Sequence, residues 1–176
     1  MTGKNRQRLH VWLAILAAAT AWAGSAAAQV QRELVLSEDF EGEGKDFAPG
    51  WAGPGLKRDT VVFRNGRASL RVHQAAGADT FGLDSPGFPA AVGQNYRISF
   101  WIKADQRVQV QVSNYPDGQP TGLVGGACVT TLNWRKIVCG GRVSGKYGFT
   151  GGPTHFWWLI RNRKKEVTIW IDDFRV

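Results

Sequence analysis

The chain has 176 residues, with 22 Lys+Arg against 14 Asp+Glu and a formal net charge of +8. Charged residues make up 20% and hydrophobic residues 43%, a balance that excludes a disordered polyelectrolyte and suits a folded domain. The basic excess is mild and scattered. It favours an acidic surface or polymer as partner without demanding nucleic acid.

The first 28 residues have the layout of a secretory signal peptide. Lys4, Arg6 and Arg8 form a positive start, Leu9 to Ala23 an apolar run, and Ala26-Ala27-Ala28 a small-residue cleavage site before Gln29. A membrane anchor is the alternative, although the run is short of the about 20 residues a spanning helix needs. Cleavage after Ala28 predicts a periplasmic or secreted protein of 176 − 28 = 148 residues. Without the three leading cations, 19 basic residues face 14 acidic ones, a net charge of +5. That length suits one domain, 29–176.

From there the pattern is all-β. Turn chemistry recurs at Pro49-Gly50, Asn65-Gly66, Ser85-Pro86-Gly87, Asp117-Gly118 and Gly151-Gly152-Pro153, between short runs rich in Val, Ile, Phe and Trp. Period-2 alternation assigns faces. Leu70 and Val72 are expected inside, with Ser69, Arg71 and His73 outside. Tyr96, Ile98, Phe100 and Ile102 share the core face, opposite Arg97, Ser99, Trp101 and Lys103. Val108, Val110 and Val112 point in, and Gln109, Gln111 and Ser113 out. Phe156, Trp158 and Ile160 take core parity, which leaves His155 and Trp157 outside. Ile169 and Ile171 point in, Thr168 and Trp170 out. Arg161-Asn162-Arg163-Lys164-Lys165 reads as a solvated hairpin turn. An antiparallel two-sheet β-sandwich of jelly-roll type follows.

Cys128 and Cys139 are spaced to face each other across a hairpin whose connection is Leu132 to Arg135. A Cys128–Cys139 disulfide is expected in an exported protein; two free buried thiols are the alternative. There is no phosphate loop, no HExxH pair and no supported Ser-His-Asp set. No outward strand position offers the pair of carboxylates that glycoside hydrolysis requires.

Four segments in order, Asp39-Phe40-Glu41-Gly42, Asn65-Gly66-Arg67-Ala68-Ser69-Leu70-Arg71-Val72, Tyr96 to Asp105, and Val167 to Val176, carry a resemblance to a family. The first and last end in acidic residues expected to face solvent. In this order the segments resemble the CenC-like carbohydrate-binding modules (families 4, 9, 16 and 22), galactose-binding-like jelly rolls. The resemblance spans essentially the whole chain after residue 28. It implies that the first and last strands lie side by side, bringing Glu41 near Asp172 and Asp173. It further implies a structural calcium held by Glu41, Asp172 and the backbone around Gly66 to Ser69; solvated acids near Arg67 and Arg71 are the alternative. It implies structural roles for Trp51 and Trp134.

The expected function is non-catalytic binding of a poly- or oligosaccharide on a concave sheet face. Aromatic rings meet the C–H faces of sugars, and planar polar side chains meet the hydroxyls. Arg71, Gln109, Gln111, Tyr115 and Trp157 are the expected ligand-binding residues, with Asn114, His73 and the outward Trp170 as neighbours. Plain solvent-facing strand positions are the alternative for the glutamines. A protein-interaction or adhesion domain is a second function. A small polysaccharide lyase is a third, in which Arg71, His73 and Tyr115 would gather for proton abstraction beside a uronate carboxylate.

Overall fold

In a computed structural model of the chain, the described residues are 33–77, 82–116, 125–145, 148–160 and 165–176. Side chains are described for all of these except residues 115, 116, 125, 157, 159 and 160. The signal-peptide segment and the 161–164 part of the basic cluster lie outside the described residues. Leu34–Val176 form a single compact unit.

Among the described residues, eleven strands run in chain order as β1 (Ser37–Glu38), β2 (Lys57–Asp59), β3 (Ser69–Gln74), β4 (Gly82–Asp84), β5 (Phe88–Ala91), β6 (Asn95–Ala104), β7 (Gln109–Pro116), β8 (Gly125–Val129), β9 (Arg135–Arg142), β10 (Gly151–Ile160) and β11 (Val167–Arg175). They make two antiparallel sheets. The six-stranded sheet has the order β2-β3-β11-β6-β9, with β1 also on β11. The five-stranded sheet has the order β4-β10-β7-β8, with β5 also on β10. This is the expected all-β jelly-roll sandwich.

The alternation in the sequence places the core as expected. Leu70, Ile98, Phe100 and Ile102 of the six-stranded sheet are fully buried, and so are Leu83 and Phe156 of the other. Trp158 is 1% exposed and packs against Trp51, Phe174 and Phe100 at centroid distances of 5.2, 5.4 and 6.0 Å. Trp51 is therefore the structural tryptophan its position implied. The interior is filled. The void around Trp158, between Val72, Leu83, Val110 and Ile169, is about 10 Å³, hardly enough for one water. That void has no room for a ligand.

The termini close the fold as the resemblance implied. β1 pairs with β11, Ser37 opposite Arg175 and Glu38 opposite Phe174. Between Asp172 and Arg175 the register of β11 against β6 shifts. Asp173 has a φ of 50° there, a conformation that aspartate tolerates better than most residues.

Candidate functional site

Three groups of residues carry the polar chemistry described for this sandwich. The first lies on the outer face of the five-stranded sheet. Gln109, Gln111 and Ser113 alternate outward along β7, with Val110 and Val112 buried between them. Gln111 donates from Nε2 to Ser113 Oγ at 3.3 Å. On the neighbouring β10, His155 lies opposite Tyr115, and residue 157 lies opposite Ser113 on one side and Asp84 on the other. His155 Nε2 stands 3.6 Å from Asp84 Oδ1, and both side chains are part-exposed. On the other side of β7, Gln109 pairs with Val129, Gln111 with Ala127 and Ser113 with Gly125 of the edge strand β8.

The register puts Tyr115 and Trp157 on the strands and parity expected of them; their side chains lie outside the described residues. Asp84 was missed from the sequence because a single aspartate before a Ser-Pro-Gly turn reads as part of that turn. Only the register against β10 reveals it as a partner of His155.

Three expectations about this face are corrected. Asn114 does not belong to it: the side chain points inward, is 2% exposed and donates to Thr154 Oγ1 at 2.9 Å. Arg71 lies on the other sheet, on β3, between Lys57 of β2 and Trp170 of β11. The filled core separates it from Gln109 and Gln111. His73 is on β3 as well, with Nδ1 3.2 Å from Thr168 Oγ1. The Arg71, His73 and Tyr115 set needed for lyase chemistry is thus divided between two sheets.

The second group is the acidic edge. Loop 64–68 turns its backbone N–H groups onto two carboxylates. Asp172 Oδ2 accepts from Arg64 N and Asn65 N at 2.8 and 3.1 Å, and Oδ1 accepts from Asp173 N at 2.9 Å. Glu41 Oε1 accepts from Arg67 N and Ala68 N at 2.9 and 3.2 Å. Asn65 Nδ2 also donates to Asp173. The expectation that these acids face solvent is corrected for Asp172, which is 1% exposed. Burial raises its pKa, against the opposing pull of the Arg64, Asn65 and Asp173 N–H groups. Ser69, also expected outside, is buried beneath the same loop and donates to Val62 O at 2.6 Å.

Calcium takes six to eight oxygens. Asp172 Oδ2 and Glu41 Oε1 each accept two backbone N–H groups, whereas Asp172 Oδ1 and Glu41 Oε2 each accept one and keep a lone pair that a cation could use. Among the described residues no group of three or more His, Cys, Asp or Glu side chains gathers, so the remaining ligands would be backbone carbonyls.

The third group is the outer face of the six-stranded sheet. Trp170 donates from Nε1 to Asp59 Oδ2 at 2.8 Å, and Lys103 Nζ sits 5.8 Å from the Trp170 ring centroid. Arg64 stacks over Trp101 at 4.4 Å. Asp59 Oδ1 accepts from Val61 N and Val62 N at 2.8 and 3.0 Å. Burial alone would raise the Asp59 pKa; the Trp170, Val62 and Val61 N–H groups and the Arg71 charge outweigh it and hold the carboxyl below its usual range.

The cysteines do not face each other across a hairpin. β8 pairs with β7 in the five-stranded sheet, and β9 pairs with β6 in the six-stranded one. Both thiols are free. Cys128 pairs with Val110 and Cys139 with Ile98, so both take core parity on edge strands of opposite sheets and pack on the core. Burial pushes the Cys128 thiol up to about 11 and raises that of Cys139.

No protein-family model matches the chain, and no curated protein does. Solved structures do. The CBM22-1 xylan-binding domain of Xyn10C from Paenibacillus barcinonensis superposes with a TM-score of 0.62 at 16% identity, covering 81% of this chain and 92% of that one. A CBM4 structure gives 0.58 at 19% identity, over 74% and 95%. The K3 adhesin domain of Lys-gingipain from Porphyromonas gingivalis gives 0.54 at 12% identity, over 81% and 96%. At these identities the likeness is one of fold: the chain has the jelly-roll sandwich seen in carbohydrate-binding modules.

Proposed function

We propose that this protein binds a neutral poly- or oligosaccharide without transforming it, on the outer face of the five-stranded sheet. One observation carries the reading: Gln109, Gln111 and Ser113 project side by side from β7, next to the His155–Asp84 pair on the adjoining strands. Amides, a hydroxyl, an imidazole and one carboxylate offer the mixed donors and acceptors that sugar hydroxyls require. The register sets position 157 of β10 opposite Ser113 and position 115 of β7 opposite His155. Among the described residues, no outward strand position of this sheet holds Lys or Arg, which suits an uncharged ligand.

Binding here is hydrogen bonding on a preformed strand surface plus stacking. Asp84 is a single carboxylate held near a histidine, and glycosidic cleavage would need a second across the ligand. The fold likeness to a xylan-binding domain supports the sugar reading. At the terminal edge, Glu41 and Asp172 would hold a calcium ion that compensates buried charge and pins the 64–68 loop.

A protein-docking role is the second reading. It is favoured by Val129, Leu132 and Val138, which are 51%, 59% and 47% exposed around the β8–β9 edge. A glycan array separates the two. The first reading expects at least one neutral glycan to bind, with Trp157→Ala weakening it by about 0.5–1.5 kcal/mol. Binding to no glycan would leave the docking reading in its place.

A further inference from the structure

The two outer faces of the sandwich differ in charge. On the six-stranded sheet, the register sets Lys57 opposite Arg71, Arg71 opposite Trp170, and Trp170 opposite Lys103. These four residues form one row across four adjacent strands. With neighbouring strands about 4.8 Å apart, the row is roughly 14 Å long. In the next row, Trp101 lies opposite Lys136, and Arg64 reaches in from the 64–68 loop to stack on its ring.

The acids on this face are already engaged. Asp59 spends its carboxylate on the Trp170 indole N–H and on Val61 N and Val62 N. Asp172 is buried and accepts three backbone N–H groups. At the far end Asp105 accepts from Thr168 N. Lys57 and Lys136 stay exposed, and Arg71 and Lys103 are half-exposed. Among the described residues none of these four cations forms a salt bridge within 4.0 Å, although the Asp59 carboxylate feels the Arg71 charge. Arg64 and Lys103 are held in place by indole rings, which reduces the ordering cost of binding.

We propose that this face is a second binding surface, electrostatic in character, for a polyuronate: a linear glycan whose rings bear carboxylates. Arginine and lysine N–H groups in a line meet successive carboxylates, and a guanidinium takes a carboxylate through two parallel hydrogen bonds. The edges of Trp101 and Trp170 between the cations meet the apolar C–H patches of the rings. A nucleic acid backbone offers no such patch unless its bases unstack. This surface lies on the opposite side of the core from the neutral-sugar face and is independent of it.

The probes are polygalacturonate, the same polymer fully methyl-esterified, and duplex DNA, titrated against the protein at 50 and 200 mM salt. Polygalacturonate is expected to bind and to weaken at the higher salt. The ester should bind at least tenfold more weakly, because only the charge has been removed. The variant Lys57→Ala/Arg71→Ala/Lys103→Ala should lose at least tenfold, and Gln111→Ala should lose nothing. Because Arg71 and Lys103 are half-buried, the exposed pair Lys57→Ala/Lys136→Ala is measured as well and should lose severalfold with an unchanged melting temperature. Equal binding of acid and ester, unchanged affinity in both charge variants, or DNA bound as tightly as polygalacturonate would each overturn the proposal.

Discussion

Gly66 shows how a single residue fixes the terminal edge. Its φ is +67°, and a Cβ there would lie 2.1 Å from Glu41 Oε1. Any larger residue is strained in the backbone and collides with the carboxylate that holds Arg67 N and Ala68 N. Gly66→Ala should lower stability by more than the about 1 kcal/mol of the backbone preference alone. Adding Glu41→Ala should make the glycine substitution less damaging, because the collision partner has gone. Urea melts of the four proteins check this, and strict additivity would contradict it. Asp59 makes a different prediction. Its pKa is depressed in the fold, so its contribution is present above the unfolded value and disappears as pH falls through the folded one. Asp59→Asn should therefore flatten the loss of stability below about pH 4, measured by urea unfolding at pH 7 and pH 3. A variant whose acid limb matches the parent's would contradict the assigned hydrogen bonds.

At the scale of elements, alternation was fully legible wherever one face was apolar and the other polar. β6 and the Gln109 to Ser113 stretch of β7 follow their expected parity, because valine, isoleucine and phenylalanine leave no second choice of face. Sheet membership was not legible. Arg71 and Gln111 both read as outward, and nothing local says that β3 and β7 belong to different sheets, since that depends on pairing across distant segments. The same gap produced the hairpin reading of the cysteines. Spacing suggests a turn, but the β8–β9 connection crosses from one sheet to the other. Asn114 failed for another reason: its inward parity was visible, but an amide was assigned to solvent, and its buried partner Thr154 is 40 residues away.

The observed arrangement gives the thiol pair a new meaning, a proposed fastener between the open edges of the two sheets. Oxidation should join Cys128 to Cys139 and raise stability by roughly 3 kcal/mol on the chain-entropy estimate for a loop of about a dozen residues. Non-reducing peptide mapping after oxidative refolding reads it directly. Two thiols that stay free under those conditions would contradict it.

For the molecule as a whole, the described surface divides into a sheet face whose strand positions hold no Lys or Arg, a cationic sheet face and an acidic edge. The fold of the carbohydrate-binding modules could be read from four ordered motifs, whereas the division of the candidate site between two sheets could not. If Glu41 and Asp172 hold calcium, chelator should lower the melting temperature. Restoring the ion to 100 times its dissociation constant should return about 2.7 kcal/mol, and Asp172→Asn should abolish that difference. A melting temperature indifferent to chelator would contradict the calcium site.

The most direct test of the central claim is amide chemical-shift mapping with the neutral oligosaccharide that binds best on the array. The account predicts saturable shifts centred on Gln109, Gln111, Ser113 and His155, with Arg71, Lys103 and Trp170 unmoved. Shifts confined to the Arg71–Trp170–Lys103 row, or no shifts with any neutral sugar, would contradict it.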